Sequence, residues 1–288
     1  LKTLETIVNT ELLKVYDWMS ANKLSLNIKK SNFIIFHSYQ KRINYNITLK
    51  LYDNQINRFV ALERKDYVKY LGVLLDSNLT WKHHISYVAA KISRNIGIIA
   101  RLRHFSPFST LLHIYHSLVS PYLYYGLTAW GQACKTHLQT ILVLQKRAMR
   151  LMNFADYSEH AIPFFVSSNI LPLPMLFYKL TSIFMHDVCN KLVPSNISEP
   201  FVLTQNVHNY STRSSSSGHL YINRCRTNIY KNSIFITGAK IWNSFPEELR
   251  KQPRHRFKQK VHQLLLQILQ KTDNYIYTDQ IIIDMKSK

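Results

Sequence analysis

Lys69-Tyr-Leu-Gly-Val-Leu-Leu-Asp-Ser-Asn-Leu-Thr-Trp81 is the stretch at which this chain changes character. Ahead of it the sequence reads as one helix and several strands. Behind it, helical periodicity runs almost unbroken to Leu192. Tyr70 to Leu75 is apolar, rich in β-formers and short, the pattern of a buried strand, and Gly72 would let another backbone come close. Asp76 to Asn78 follow with turn chemistry. The stretch therefore divides a partial β region from a helical one, and the fold class read from the whole chain is α+β.

Working back from it, Leu4, Val8, Leu12, Val15 and Met19 recur at three- and four-residue intervals, which predicts an amphipathic helix over 3–20 ended by Asn22. Leu24, Leu26 and Ile28 alternate with polar residues into Asn32–Phe36, a predicted strand. Ile47–Tyr52 and Gln55–Val60 flank Asp53-Asn54 with the spacing of a two-residue hairpin. About four strands result.

Working forward, Thr80 is the expected cap of a helix whose stripe is Trp81, Ile85, Val88, Ile92, Ile96 and Ile99. Ser106-Pro107 should open a second helix, which Pro121 must kink or end because it removes an internal donor. Thr136 should cap a third, with Leu138, Ile141, Leu142, Gln145, Ala148, Leu151 and Met152 inward. Pro172 and Pro174 introduce a fourth, to about Leu192. Short loops between such helices favour an antiparallel bundle. From Val193 to Ser233 the chain is rich in Asn and Ser and reads as irregular. Helices resume around Gly238–Ser244 and Pro253–Gln270, and the tail after Thr272 is expected to fray.

Charge is the first functional signal. The chain has 37 Lys and Arg against 16 Asp and Glu, a net charge of +21. Between Ser77 and Ala155 there is no acid at all, yet the span holds Lys82, Lys91, Arg94, Arg101, Arg103, Lys135, Lys146, Arg147 and Arg150. A solvated helical face normally mixes both signs, so one sign over three helices points to a polyanion, nucleic acid above all. Residues 201–288 repeat the bias with 14 basic and 5 acidic residues.

Other classes are set aside. Cys134, Cys189 and Cys225 are too far apart for a disulfide framework or a Cys-x-x-Cys metal site, which fits a reducing, intracellular compartment such as cytoplasm or nucleus. No apolar run reaches the roughly 18 residues of a membrane span, so no membrane role is expected. Leu1 enters directly into helical periodicity with neither a signal peptide nor an initiator Met, as in a chain cut from something longer. Asp76, Asp53, Asp66 and Glu63 are the acids near the β region, and a turn role suits Asp76 better than metal binding. His83-His84 and the same-face pair His113/His116 lack a third ligand nearby, so no metal site is expected. Ser214–Ser217 with Gly218 has no phosphate-loop pattern around it. Tyr122, Tyr124, Tyr125 and Trp130 could stack on bases, although core packing is the simpler reading.

The joint order of several short motifs carries a resemblance. Trp18, Asn22-Lys-Leu-Ser-Leu-Asn27-Ile-Lys-Lys30-Ser31, Lys69–Asp76 through Leu79-Thr-Trp81, and His84-Ile85 resemble the reverse transcriptase of non-LTR (LINE-type, jockey-like) retrotransposons. So do Pro121-Tyr-Leu-Tyr-Tyr125-Gly126, Trp130-Gly131, Leu144-Gln-Lys-Arg-Ala148, His208-Asn-Tyr210-Ser-Thr-Arg213, Trp242-Asn243, Pro246 and Phe257-Lys258. The resemblance implies a partial palm over 1–79, a helical thumb over 80–192 and a basic C-terminal region over 193–288. Lys30 would lie near the incoming nucleotide, placed to protonate the pyrophosphate leaving group. Tyr70, Leu71 and Gly72 would form the primer grip. Lys82, Lys91, Arg94, Arg101, Arg103, Lys146, Arg147 and Arg150 would meet a template–primer duplex, RNA or DNA.

One departure matters. Family members carry an Asp pair in a Tyr/Phe-Ala-Asp-Asp motif upstream, which holds the two Mg²⁺ ions of polymerisation. This sequence has no Asp-Asp. The resemblance thus implies no catalytic residues and no cofactor here, with Mg²⁺ belonging to the full-length enzyme. The expected function is a C-terminal piece of an RNA-directed DNA polymerase, inactive alone and lacking its N-terminal polymerase portion. The alternatives are a host-retained RNA- or DNA-binding module, or a decayed pseudogene product.

Overall fold

The computed structural model describes residues 2–41, 46–53, 56–207, 218–271 and 281–282. It is about 59% helical with a few short strands, an α+β chain. Two units emerge, Leu1–His84 and Ile85–Lys288.

In the first unit, α1 (Lys2–Ala21) precedes a 3₁₀ turn at Ile28–Lys30 and, among the described residues, six short strands. These are β1 (Asn32–Phe33), β2 (Lys50–Asp53), β3 (Arg58–Ala61), β4 (Glu63–Arg64), β5 (Tyr67–Tyr70) and β6 (Val73–Asp76). They pair as three two-stranded sheets, β1–β4 parallel, β2–β3 and β5–β6 antiparallel. Helix α1 supplies β2 with polar partners in place of a neighbouring strand. Asn9 donates to the Thr48 carbonyl at 3.1 Å and accepts from the Lys50 N–H at 2.9 Å, while Glu5 accepts from the Thr48 N–H at 3.1 Å. Beside them Ile47, Leu49 and Leu51 are buried in strict alternation. The predicted stripe of α1 is less covered than its periodicity suggests. No α1 residue is buried, and Leu4 and Val15 are each 47% exposed, because one hairpin cannot cover a 20-residue helix.

Two strand predictions need correction. The predicted strand Asn32–Phe36 shortens to Asn32–Phe33. The hairpin around Asp53-Asn54 pairs Asp53 with Arg58, so its loop holds four residues rather than two, with Asn54 and Gln55 outside the described residues.

The opening stretch is corrected too. Tyr70–Leu75 is not one buried strand but the tip of the β5–β6 hairpin, with Tyr70 paired to Val73. Leu71 (φ 45°) and Gly72 (φ 85°) both take positive φ, as a two-residue turn matching strand twist requires. Gly72 thus serves the turn. Tyr70 and Leu71 are 63% and 73% exposed at that tip.

Asp76 builds the way out of the hairpin. Its buried carboxylate accepts from the Asn78, Thr80 and Trp81 N–H groups at 3.2, 2.9 and 2.8 Å and from the Thr80 hydroxyl at 3.2 Å. These bonds hold Leu79 (φ 53°) and Trp81 (φ 63°) in the left-handed region. Thr80 caps less directly than predicted: its hydroxyl accepts from the Lys82 N–H at 3.4 Å, and the helix begins at Lys82. Asp76→Ala should cost about 2–3 kcal/mol by leaving three amides without an acceptor, and Asp76→Asn less. Hydrogen exchange at Asn78, Thr80 and Trp81 checks this, and protection unchanged in the Ala variant would count against it.

The second unit contains most of α2 (Lys82–Leu102), then α3 (Phe108–Ile114), a π-helical turn at Tyr115–Val119, α4 (Ser120–Tyr124) and α5 (Leu127–Trp130). It continues with α6 (Lys135–Met152), α7 (Ile162–Ser167) and α8 (Leu173–Cys189). Helix α7 was not foreseen in the sequence. The stripe of α2 is as predicted, with Ile85, Val88, Ile92, Ile96 and Ile99 at 3% exposure or less and Trp81 half-buried. On α6, Leu138, Ile141, Leu142, Gln145, Ala148 and Met152 are buried, but Leu151 is only half-buried. The predicted caps shift by one or two residues: Pro107 rather than Ser106 precedes α3, and Cys134 rather than Thr136 precedes α6, neither with a side-chain capping bond. Pro121 falls at the start of α4, directly after the π turn, where its missing N–H costs least.

Helix α8 is apolar nearly all round and sits at the centre. Helices Ile234–Asn243 and Arg254–Lys271 pack on it, so residues beyond 193 share a core with the helical segment before them. Gly238 permits the first contact, since a Cβ there would come within 2.6 Å of Met185 Sδ. Buried Gln145 ties α6 to the start of α8, donating to the Tyr115 hydroxyl (3.1 Å) and the Leu171 carbonyl (3.0 Å) and accepting from the Leu173 N–H (2.9 Å). Ser214–Ser217, His208–Arg213 and most of the tail after Thr272 lie outside the described residues.

Candidate nucleic-acid interface

The acid-free span folds into α2 through α6, and its basic residues divide into two sets. Arg94 and Arg101 stand seven residues apart on α2, opposite the Ile92–Ile96–Ile99 stripe, and are exposed, as is Arg147 on α6. These three have no ion pair or side-chain hydrogen bond among the described residues. Lys82, also exposed, opens α2 within the first unit.

The other set does not stand wholly outside, contrary to the sequence expectation. Lys91, Arg103, Lys146 and Arg150 are half-buried. The Lys91 ammonium lies 5.6 Å from the Tyr87 ring centroid. Arg103 lies 5.1 Å from that of Phe154. Arg150 donates through Nε to the Glu159 carbonyl at 2.7 Å and lies 5.8 Å from the Tyr157 ring. Burial, and then the neighbouring Arg150 charge, holds the Lys146 amine below its usual range.

Lys30 ends the 3₁₀ turn at Ile28–Lys30 and is exposed; its N–H donates to the Asn27 side chain at 3.1 Å. The turn Tyr70-Leu71-Gly72 presents an exposed aromatic ring and an exposed Leu. The histidines have structural work. His84 Nδ1 accepts from the Leu74 N–H at 3.3 Å and burial lowers its pKa, while His83 stacks on Tyr67 at 4.6 Å. His116 faces the Ser120 hydroxyl at 3.2 Å, its pKa lowered by burial and by His113. Among the described residues there is no group of three or more His, Cys, Asp or Glu that could hold a metal ion. No described helix is long and apolar enough to cross a membrane.

The aromatic cluster read from the sequence splits. Trp130 is fully buried and donates to the Tyr125 carbonyl at 2.9 Å, whereas Tyr124 and Tyr125 are 47% and 56% exposed. Exposed rings at the ends of α2 and α6 escaped the sequence reading, Phe105, Phe154 and Tyr157 among them. Their signal was present, since Arg103-His104-Phe105 directly follows α2 and Arg150 to Tyr157 runs across the end of α6, both basic–aromatic.

Comparison with known proteins shows partial similarities. The jockey mobile-element RNA-directed DNA polymerase of Drosophila melanogaster is 36% identical over 93 residues, 31% of this chain and 10% of that protein. The "Probable RNA-directed DNA polymerase from transposon BS" of the same organism is 32% identical over 101 residues, 34% of this chain and 11% of that protein. The "Probable RNA-directed DNA polymerase from transposon X-element" is 26% identical over 145 residues, 49% of this chain and 15% of that protein. Over part of its length, this chain is similar to RNA-directed DNA polymerases of Drosophila non-LTR retrotransposons. The matched stretches span between 10% and 15% of these polymerases' own length. No family model matches, and no solved structure matches.

Proposed function

We propose that this chain corresponds to a C-terminal part of a retrotransposon RNA-directed DNA polymerase and that it holds template–primer nucleic acid without polymerising by itself. Residues 1–79 act as the end of a palm, 80–192 as a thumb and 193–288 as a basic C-terminal region. The observation that carries this is the acid-free span Ser77–Ala155, which folds with Arg94, Arg101 and Arg147 outward, in a chain related to polymerases whose substrate is a polyanion.

Lys82, Lys91, Arg94, Arg101, Arg103, Lys146, Arg147 and Arg150 provide sequence-independent phosphate contacts, which position a duplex without reading it. Tyr70-Leu71-Gly72 presents a primer-grip turn and Lys30 approaches the leaving group in the assembled enzyme. Nucleic acid, and the upstream polymerase portion with its Mg²⁺, are the partners, in cytoplasm or nucleus.

Phosphate contacts release counterions, so duplex affinity should fall steeply with salt and vary little with sequence. Lys146→Ala with Arg147→Ala should lower the slope of log affinity against log salt by about two units, weakening all sequences alike. A slope unchanged in the double variant would remove both residues from the interface. No binding at low salt, in a folded protein, would defeat the reading. In primer extension with Mg²⁺ or Mn²⁺ the chain should incorporate nothing above a protein-free blank, since its sequence contains no Asp-Asp. Incorporation would overturn the second half of the proposal.

A further inference from the structure

The end of α2 and the end of α6 meet in an arrangement that phosphate binding does not explain. Phe105 is 86% exposed, Tyr157 84% and Phe154 57%. The Arg103 guanidinium lies 5.1 Å from the Phe154 ring centroid, His104 meets the same ring edge-on at 6.1 Å, and Arg150 lies 5.8 Å from the Tyr157 ring. Single exposed rings are ordinary, but three of them interleaved with arginines are not a typical solvated surface.

Phe154 is also held against its own preference. It follows the C-terminus of α6 at φ 56°, the left-handed position that glycine usually takes at a helix end. The Ala155 N–H returns to the Arg150 carbonyl at 3.0 Å and closes that turn. A bulky residue there costs stability that glycine would spare. The strain keeps an aromatic ring at the surface beside Arg103 where a glycine would present nothing. Glu159 and Asp156 are the nearby acids, and the Glu159 carboxylate is engaged by the Asp156 N–H at 2.7 Å.

We infer that Phe105, Phe154 and Tyr157, with Arg103 and Arg150, form a stacking platform for unpaired nucleobases of a nucleic-acid strand. Bases stack on aromatic faces and on guanidinium planes while the same arginines take the flanking phosphates. Charge complementarity favours this occupant over an apolar protein surface, because desolvating two arginines against apolar groups would be costly. The inference rests on the nucleic-acid reading above and adds to it a single-stranded site next to the phosphate-binding helices.

The test uses the full chain with single-stranded oligothymidine, oligouridine and an abasic oligomer of equal length and charge. Phe154→Gly and Tyr157→Ala should each weaken binding of the base-bearing strands about tenfold, and Phe105→Ala in the same direction. The abasic strand should bind wild type more weakly and lose little further in the variants. Phe154→Gly should be no less stable than wild type, which separates lost stacking from lost folding. Oligothymidine against oligouridine distinguishes a DNA from an RNA occupant. Equal binding of abasic and base-bearing strands, or variants that weaken both equally, would overturn the platform while leaving the phosphate interface standing. Absence of any strand binding at low salt would overturn both.

Discussion

Ile92→Ala should destabilise the unit Ile85–Lys288 by about 2–5 kcal/mol, the range for truncating a fully buried aliphatic side chain where neighbours cannot collapse into the space. Ile92 is 0% exposed and lies mid-stripe between Val88 and Ile96, which are 2% and 1% exposed. Arg94→Ala, two residues on and exposed, should change stability by no more than about 0.5 kcal/mol. Urea denaturation followed by circular dichroism compares the two. Equal effects would mean that the helix is out of phase with its assigned faces.

Lys179→Met should stabilise the same unit at neutral pH, by up to about 3 kcal/mol. Lys179 lies on α8, 9% exposed, with its amine 3.1 Å from His262 Nδ1 and no carboxylate bonded to it among the described residues. His262 in turn faces Asn169 Oδ1 at 2.8 Å. Burial, and then the Lys258 charge, pushes the amine down to about 8 from 10.5. A drop of that size corresponds to about 3 kcal/mol of folding free energy at about 1.4 kcal/mol per unit.

The sign follows from proton binding. Between pH 8 and 10.5 the unfolded chain holds a proton on this lysine that the folded chain has released, so stability should rise with pH across that window. Below pH 8 the penalty of the buried charge is present in full. His262, its pKa lowered by burial and by Lys179, should add a further loss in acid as it too is forced to charge. Methionine keeps the length of the side chain without the charge, so the variant should flatten the alkaline rise and melt higher at pH 7. A destabilised Lys179→Met, with the pH profile unchanged, would show that the amine finds adequate compensation in the fold.

Much of the helical unit was legible because helix phase is a local property. A residue every three or four positions must fall on one side of a helix whatever packs there, and the buried stripes of α2 and α6 follow directly, including the polar Gln145 among them. Asp76 as a turn former was legible for the same reason, since its four acceptor bonds reach no further than five residues along the chain. Charge bias needs no structure at all, and the acid-free span was visible in the sequence alone.

What only the tertiary structure decided depends on residues far apart in sequence. An apolar run such as Tyr70–Leu75 satisfies both a buried strand and a hairpin tip, and pairing with Tyr67–Lys69 chose the second. The capping positions moved because backbone bonds closed the first turns of α3 and α6 without the side chains that propensity favours. Periodicity could mark α8 as a buried helix, but not that helices from beyond residue 193 would cover it. The pairing of Arg103 with Phe154 spans 51 residues, and the left-handed backbone that exposes Phe154 runs against its propensity. Local pattern specifies which face of an element seeks a partner; which partner it finds, and which arginine meets which ring, is settled by packing across the whole chain.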